Sequence, residues 1–446
     1  MTSAIDRLAE FGAVLEPERV DPAIVGKVKE HLLDTIAATC AGVDEPRLNA
    51  VRGVILRWGG AAEAMPIGHP IRLPAPKAAF LNALHARIHT FDDTHEAGPA
   101  HPGSAVVAAA LATAERSAAS GRILLASLLA GYEVATRVSA ALGAPHYGAG
   151  FHTTGSCAPF AAAAAAARIA GLEPATTAAA LALAGEGAIG LRQYQLDGSL
   201  LDTALNSARG AELGVAAAEF AAAGATGPVG ILDGRWGMLR VMAGSDPLPS
   251  FDDLGGRWEF DATIVKPFAS CRFTHGPIDV LRNAKLNPHD VEAIEIATFR
   301  ASCDVSDRPD PRTRAEAILS HQVAAALALL GRAIVPSDYD ELGDAVRDLA
   351  ARVRVRNDVS FDLAYPGSWP HRITVQSRGR DPVTLFSERP PAADNAMART
   401  KFHALADPVL GRERAEELAA LVARIETVTD LEPLFRLLHP RMAKAA

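Results

Sequence analysis

Four cysteines in 446 residues, at positions 40, 157, 271 and 303, form no CxxC pair. That spacing argues against a disulfide framework and a cysteine-based structural zinc site, and it fits a reducing cytoplasm. Aromatic residues are only 5% of the chain. With alanine abundant in their place, helices are expected to meet through small side chains at close range. Positive charge is in deficit, 44 Lys and Arg against 52 Asp and Glu, for a net charge of −8 and a pI near 6.0. A nucleic-acid or anionic-membrane partner needs a basic stripe, so neither is expected. A local cationic pocket for a small anion stays compatible with that balance. Long apolar runs are missing too. The opening "MTSAIDRLAEFGAVLEPERV" carries Asp and Glu too early for a secretory signal, and "AAAAAAARIAGL" meets charge and glycine too soon for a membrane span. A GxGxxG after a strand and a GxxxxGK[ST] loop are both absent, which lowers nucleotide chemistry. No repeat of solenoid period stands out.

What is present divides by texture, and the length alone suggests two or three domains. Residues 1–265 read as an all-helical domain. "PAIVGKVKEHLLDTIAATCAG" has apolar residues at helical spacing and ends on Gly42, and glycines punctuate the later runs. Residues 266–399 read as an α+β domain. "HDVEAIEIATF", "ARVRVRND", "HRITVQSRG" and "VTLFSE" are strand-like, and "TRAEAILSHQVAAALALLG" and "YDELGDAVRDLAARV" are helical between them. An antiparallel sheet is expected. Residues 400–446 return to helix and are expected to complete the first domain. The fold class is therefore a large, mainly α-helical domain plus a smaller α+β domain.

Three stretches carry chemistry. "HTFDDTHEAGPAHPGS" packs His89, Asp92, Asp93, His95 and His101 around a Pro- and Gly-interrupted loop, with Ser104 expected to cap the next helix. His85 and His89 are spaced i, i+4, so a metal site of His85, His89, Asp93 and His95 is one reading. No Glu follows the first histidine of that pair as in a zincin, so helix packing and loop capping are the other. "PHYGAGFHTTGSCAPF" places His146, Tyr147 and His152 in a Gly-rich loop ahead of an apolar helix whose N-terminus suits a carboxylate. "IVKPFASCRFTHGPIDVL" sets Lys266 at the change of texture, where burial would lower its pKa toward that of a general base. Arg272 and His275 follow, Cys271 is expected to pack, and Arg192 in "GLRQYQLDGS" is a candidate carboxylate clamp.

In this order, "FDDTHEAGPAHPGS", "GFHTTGS" and "KPFASCRFTHGPID" resemble the MmgE/PrpD family over nearly the whole chain. That family includes 2-methylcitrate dehydratase, cis-aconitate decarboxylase and iminodisuccinate epimerase. The resemblance implies the two-domain fold, a homodimer, no organic cofactor, no metal, and a small polycarboxylate substrate. Carried over, it implies a pocket containing Asp93, His101, His152, Lys266 and His275. Where lyase branches carry a Lys and then a His three residues later, this chain has Thr203 and Asn206. Where they carry a Tyr, it has Val323. With those groups replaced, the pattern looks most like iminodisuccinate epimerase. The expected reaction is removal and return of a proton next to a carboxylate, with Lys266 and Tyr147 or His152 as acid–base groups. Asp93, His101, Arg192, Arg272 and His275 are expected to bind the substrate. A dehydratase-like or decarboxylase-like lyase, a metal-dependent enzyme and a non-enzymatic family member are the alternatives.

Overall fold

The computed structural model describes residues 2–439. Its helical part is built around crossings that only small residues permit. The Pro22–Gly42 helix starts on Asp21, whose carboxylate accepts from the Ala23 N–H at 2.8 Å, with proline in the first turn. It ends against the Ala75–Arg87 helix. A Cβ on Gly42 would stand 2.2 Å from the His85 carbonyl oxygen, so the two backbones cross where no side chain fits. The Thr153–Ile169 helix lies deepest. Its run from Ala161 to Ala167 is buried, and it packs against the Gly121–Gly148, Gly103–Ser117 and Leu200–Ala222 helices. Interiors of this kind are close-packed, so an added methylene has nowhere to go. Among the described residues one helix, Gly121–Gly148, is long and apolar enough to cross a membrane, and it is mostly buried inside the fold.

Several local expectations are corrected. His146 and Tyr147 stand in a closing helical turn, not in a glycine loop. Gly143, at φ 56°, redirects the chain within Gly121–Gly148, and the turn beyond it is helical again. Ser104 does not cap the next helix, which begins at Gly103. Its hydroxyl donates to the His101 carbonyl at 3.1 Å and meets Ser207 Oγ at 2.6 Å. His89 falls beyond the end of the helix at Arg87. The apolar run 314–329 splits at Ser320, whose hydroxyl accepts from the Val323 N–H at 3.1 Å and starts a second helix.

Two short strands, β1 (Thr94–His95) and β2 (Thr263–Ile264), pair antiparallel and join the "FDDTH" segment to the residues just before Lys266. The larger sheet comprises β3 (Val291–Thr298), β4 (Val353–Asn357), β5 (His371–Ser377) and β6 (Val383–Ser387), in the order β4-β3-β5-β6. It is mixed, not antiparallel. β5 pairs antiparallel with β3 and β6, but β4 runs parallel to β3 because the intervening helices carry the chain back across the sheet. β5 shows the alternation of a strand with one covered face, His371, Ile373, Val375 and Ser377 being buried. The scarce aromatics gather here. Phe273, Phe299, Tyr365 and Trp369 form a cluster, with Phe299 stacked on Tyr365 at 4.6 Å.

After the sheet, the Asn395–Leu410 helix packs on Pro22–Gly42. From it the buried Lys401 ammonium reaches three places at once. It pairs with Asp34 at 2.6 Å and donates to the Phe91 carbonyl at 2.6 Å and the Lys266 carbonyl at 3.3 Å.

Candidate active site

Between the two parts lies a small cavity, lined from both sides. The helical side contributes Arg87, Thr90, Thr94, His101, Tyr147, His152, Tyr194, Gln195 and Thr203. The other side contributes Lys266, Cys271, Arg272, Phe273, Leu319 and Trp369. The β1–β2 ladder brings Lys266 to the Asp92 segment, which local sequence alone could not do.

Lys266 is fully buried, and Nζ donates to the Thr90 carbonyl at 2.8 Å and, more weakly, to the Ser270 carbonyl at 3.4 Å. Burial, reinforced by the nearby Arg87 charge, lowers its pKa to about 7. As a neutral amine it has two N–H bonds, both directed at those carbonyls, so its lone pair is left over for the cavity. Asp92 is pushed the opposite way by burial, up to about 6, although Arg87 Nη1 donates to it at 2.9 Å.

The two lining histidines are neutral and differ in tautomer. His101 Nδ1 lies 2.7 Å from the Asp93 carbonyl oxygen, which can only accept, so the ring proton sits on Nδ1. Its Nε2 keeps a lone pair. His152 Nδ1 receives the Asn206 side-chain amide at 3.1 Å, which puts the ring proton on Nε2. Burial, with Arg87 adding to it, holds both well below the usual histidine range. One imidazole therefore offers the cavity a base and the other an N–H. Tyr147 is kept a phenol by burial, and Gln195 donates to its oxygen at 3.4 Å.

The remaining expected residues are placed otherwise. Asp93 faces away from the cavity, with Oδ2 2.8 Å from His31 Nδ1 and Oδ1 accepting from the Gly103 N–H at 2.9 Å. Arg192 stands behind Tyr147, stacked 3.5 Å over its ring and donating to its carbonyl at 2.6 Å. His275 is one layer back, receiving Arg272 Nη1 at 3.2 Å and reaching the Ser270 carbonyl at 3.3 Å. Arg272 lines the cavity, but all five of its N–H groups are engaged. They go to Glu96 through Nε at 2.8 Å and Nη2 at 2.5 Å, to the carbonyls of Pro390 and Pro391, and to His275. Cys271 lines the wall as well as packing there.

His85 is fully buried in its helix and stacks near His69, His89 bonds the Ala41 carbonyl, and His95 bonds Ser139 and Glu259. Among the described residues no three His, Cys, Asp or Glu side chains converge as a metal site. Arg87, Tyr194 and Gln195 were not singled out by the sequence reading. An arginine near a helix end just ahead of two aspartates was the signal the sequence offered, and its burial was not part of it.

Comparison with known proteins fits this arrangement. The MmgE/PrpD N-terminal domain model matches residues 6–250, and the MmgE/PrpD C-terminal domain model matches residues 268–427. Lys266 and the cavity lie at that junction. A cis-aconitate decarboxylase of Aspergillus terreus is 23% identical, over 97% of this chain and 95% of its own length. A cis-aconitate decarboxylase-like protein, oryM, of Aspergillus oryzae is 26% identical over 97% and 96%. A cis-aconitate decarboxylase of Mus musculus is 28% identical over 95% and 91%.

Proposed function

The chain belongs to the MmgE/PrpD family, and from that premise we propose that it is a lyase acting on a small carboxylic acid through a carbanion next to a carboxylate. The observation that carries this reading is the trio around one cavity. Lys266 is poised near neutrality, His101 presents a lone pair, and His152 presents an N–H. Acid–base groups of matched strength are what carbon-acid chemistry demands. The relatives' name, cis-aconitate decarboxylase, supports the lyase outcome over the isomerase expected from sequence.

In a decarboxylation the C–C bond to the departing carboxylate breaks and CO2 leaves. The electron pair delocalises into the remaining unsaturated acid, and a proton from the Lys266 ammonium ends on carbon. In a dehydration the neutral Lys266 amine removes the α-proton and, as the ammonium, passes it to the departing hydroxide, while the neutral His152 Nε2–H hydrogen-bonds to that oxygen. In both, developing negative charge faces fixed donors (Tyr147 Oη–H and His152 Nε2–H) that need no reorganisation.

A second reading, epimerisation, has its own support. Thr203 and Asn206 stand where the resemblance expects a cation and a histidine, and Val323 stands where it expects a tyrosine. Incubation with mono-, di- and tricarboxylic acids in heavy water separates the two by NMR. A lyase gives product lacking CO2 or water, whereas an epimerase gives α-deuterated substrate with no loss. Absence of deuterium incorporation and of product across the whole mono-, di- and tricarboxylic acid set, with 2-methylcitrate, cis-aconitate and iminodisuccinate included, would sink both.

A further inference from the structure

Three polar side-chain atoms on residues lining this cavity make no hydrogen bond within the protein: Arg87 Nε, Thr90 Oγ1 and Trp369 Nε1. Buried polar atoms are ordinarily paired, so three around one cavity mark a polar ligand. Arg87 Nε and Trp369 Nε1 can only donate, so the ligand must accept. The guanidinium is decisive. Arg87 is 3% exposed and commits Nη1 to Asp92, while Nε and Nη2 have no partner among the described residues. That leaves the Nε–Nη2 edge open, the fork that meets a carboxylate through two parallel bonds. Arg272 has no free N–H, and Arg192 does not line the cavity.

We propose that Arg87 is the anchor for a substrate carboxylate, and that the cavity takes an acid bearing one or two carboxylates rather than three. The limit follows from charge. Arg87 faces Asp92 and Arg272 faces Glu96, so Lys266, in its protonated form, is the one lining cation with no ion-pair contact among the described residues. The lining histidines are neutral. A tricarboxylate would bring two charges with no counter-charge into a site already dry, and unpaired buried charge is strongly unfavourable. Thr203 adds a hydroxyl to the cavity lining and no charge. This inference rests on the carboxylate reading of the cavity given above.

Calorimetric titration with propionate, succinate and tricarballylate tests it, since these saturated acids have one, two and three carboxylates and cannot react by elimination. Succinate is expected to bind at least roughly tenfold tighter than tricarballylate. Arg87→Lys should weaken succinate by roughly tenfold and Arg87→Gln by more, because an ammonium cannot fork. Arg87→Gln leaves Asp92 unpaired, so the double variant Arg87→Gln/Asp92→Asn, checked by circular dichroism, carries the test if the single variant unfolds. Wild-type succinate affinity in the folded double variant would overturn the anchor, and tighter binding of tricarballylate than of succinate would overturn the carboxylate limit. If none of the three acids binds the wild type, the proposal falls. Proton exchange persisting in that case would leave the lyase or epimerase reading standing.

Discussion

Arg87 and Arg272 line one cavity and are equally well buried, yet their surroundings are built on opposite terms. Around Arg272 every donor is answered: five N–H groups meet Glu96, His275 and two proline carbonyls. Around Arg87, Lys266 and His101, hydrogen-bonding capacity is left over, as an open guanidinium edge, an amine lone pair and an imidazole lone pair. Saturated surroundings support; unsaturated ones are available to a ligand. Residue type does not separate the two arginines, and only the bonds already made do.

The comparison breaks most readily at Lys266. Lys266→Met keeps the volume and removes the lone pair, and proton-exchange turnover is expected to fall by roughly a thousandfold. A loss below tenfold would move the base elsewhere. The saturated surroundings of Arg272 should respond in stability instead. Arg272→Gln strands Glu96 and two carbonyls, and urea denaturation should show a loss of about 3 kcal/mol. The KM of the surviving enzyme should stay within about threefold of wild type; an intact stability with a collapsed KM would reverse the roles assigned to the two arginines. A finer probe is Asn206→Asp. An anionic carboxylate accepts from Nδ1–H, which shifts the His152 proton away from Nε2 or makes the ring an imidazolium. Turnover is expected to drop roughly tenfold to a hundredfold, and the acid limb of its pH profile should move.

The last effect is graded and involves several sites. His85, His101, His152, His275 and His321 are all held below the usual histidine range, chiefly by burial. Below pH 6.5 the unfolded chain binds protons that the folded chain refuses, so stability is lost as pH falls through that value. Melting temperature measured from pH 7.5 down to 5 should decline steadily. The Lys266 shift acts at the other end. Its folded pKa of about 7 lies below the unfolded value, so stability should rise between pH 7 and 10, and Lys266→Met should flatten that rise.

Much of this was legible in the chain. The change of texture near Lys266 and the strand-like alternation of 371–377 both appear as helical and β architecture, because periodicity reports which face is buried. His101, His152, Lys266 and Tyr147 were recognised and do share the cavity. What failed depended on partners distant in sequence. Asp93 looked available until His31, 62 residues earlier, occupied its carboxylate. Arg272 looked like a clamp until Glu96 and the 390–391 carbonyls took its donors. Arg87 was hidden because a charged residue at a helix end is ordinarily solvated, and only the fold tells that this one is not. The parallel β3–β4 pairing was missed for a related reason, since alternation fixes the faces of a strand and not its direction.

Lys401 works as a keystone. Its ammonium binds the Phe91 and Lys266 carbonyls from a helix that belongs to neither cavity loop. The same cation pairs with Asp34 on the Pro22–Gly42 helix, so one side chain ties both loops to the helical scaffold. Loss of that charge would strand a buried carboxylate and two carbonyls together, and slacken both loops at once.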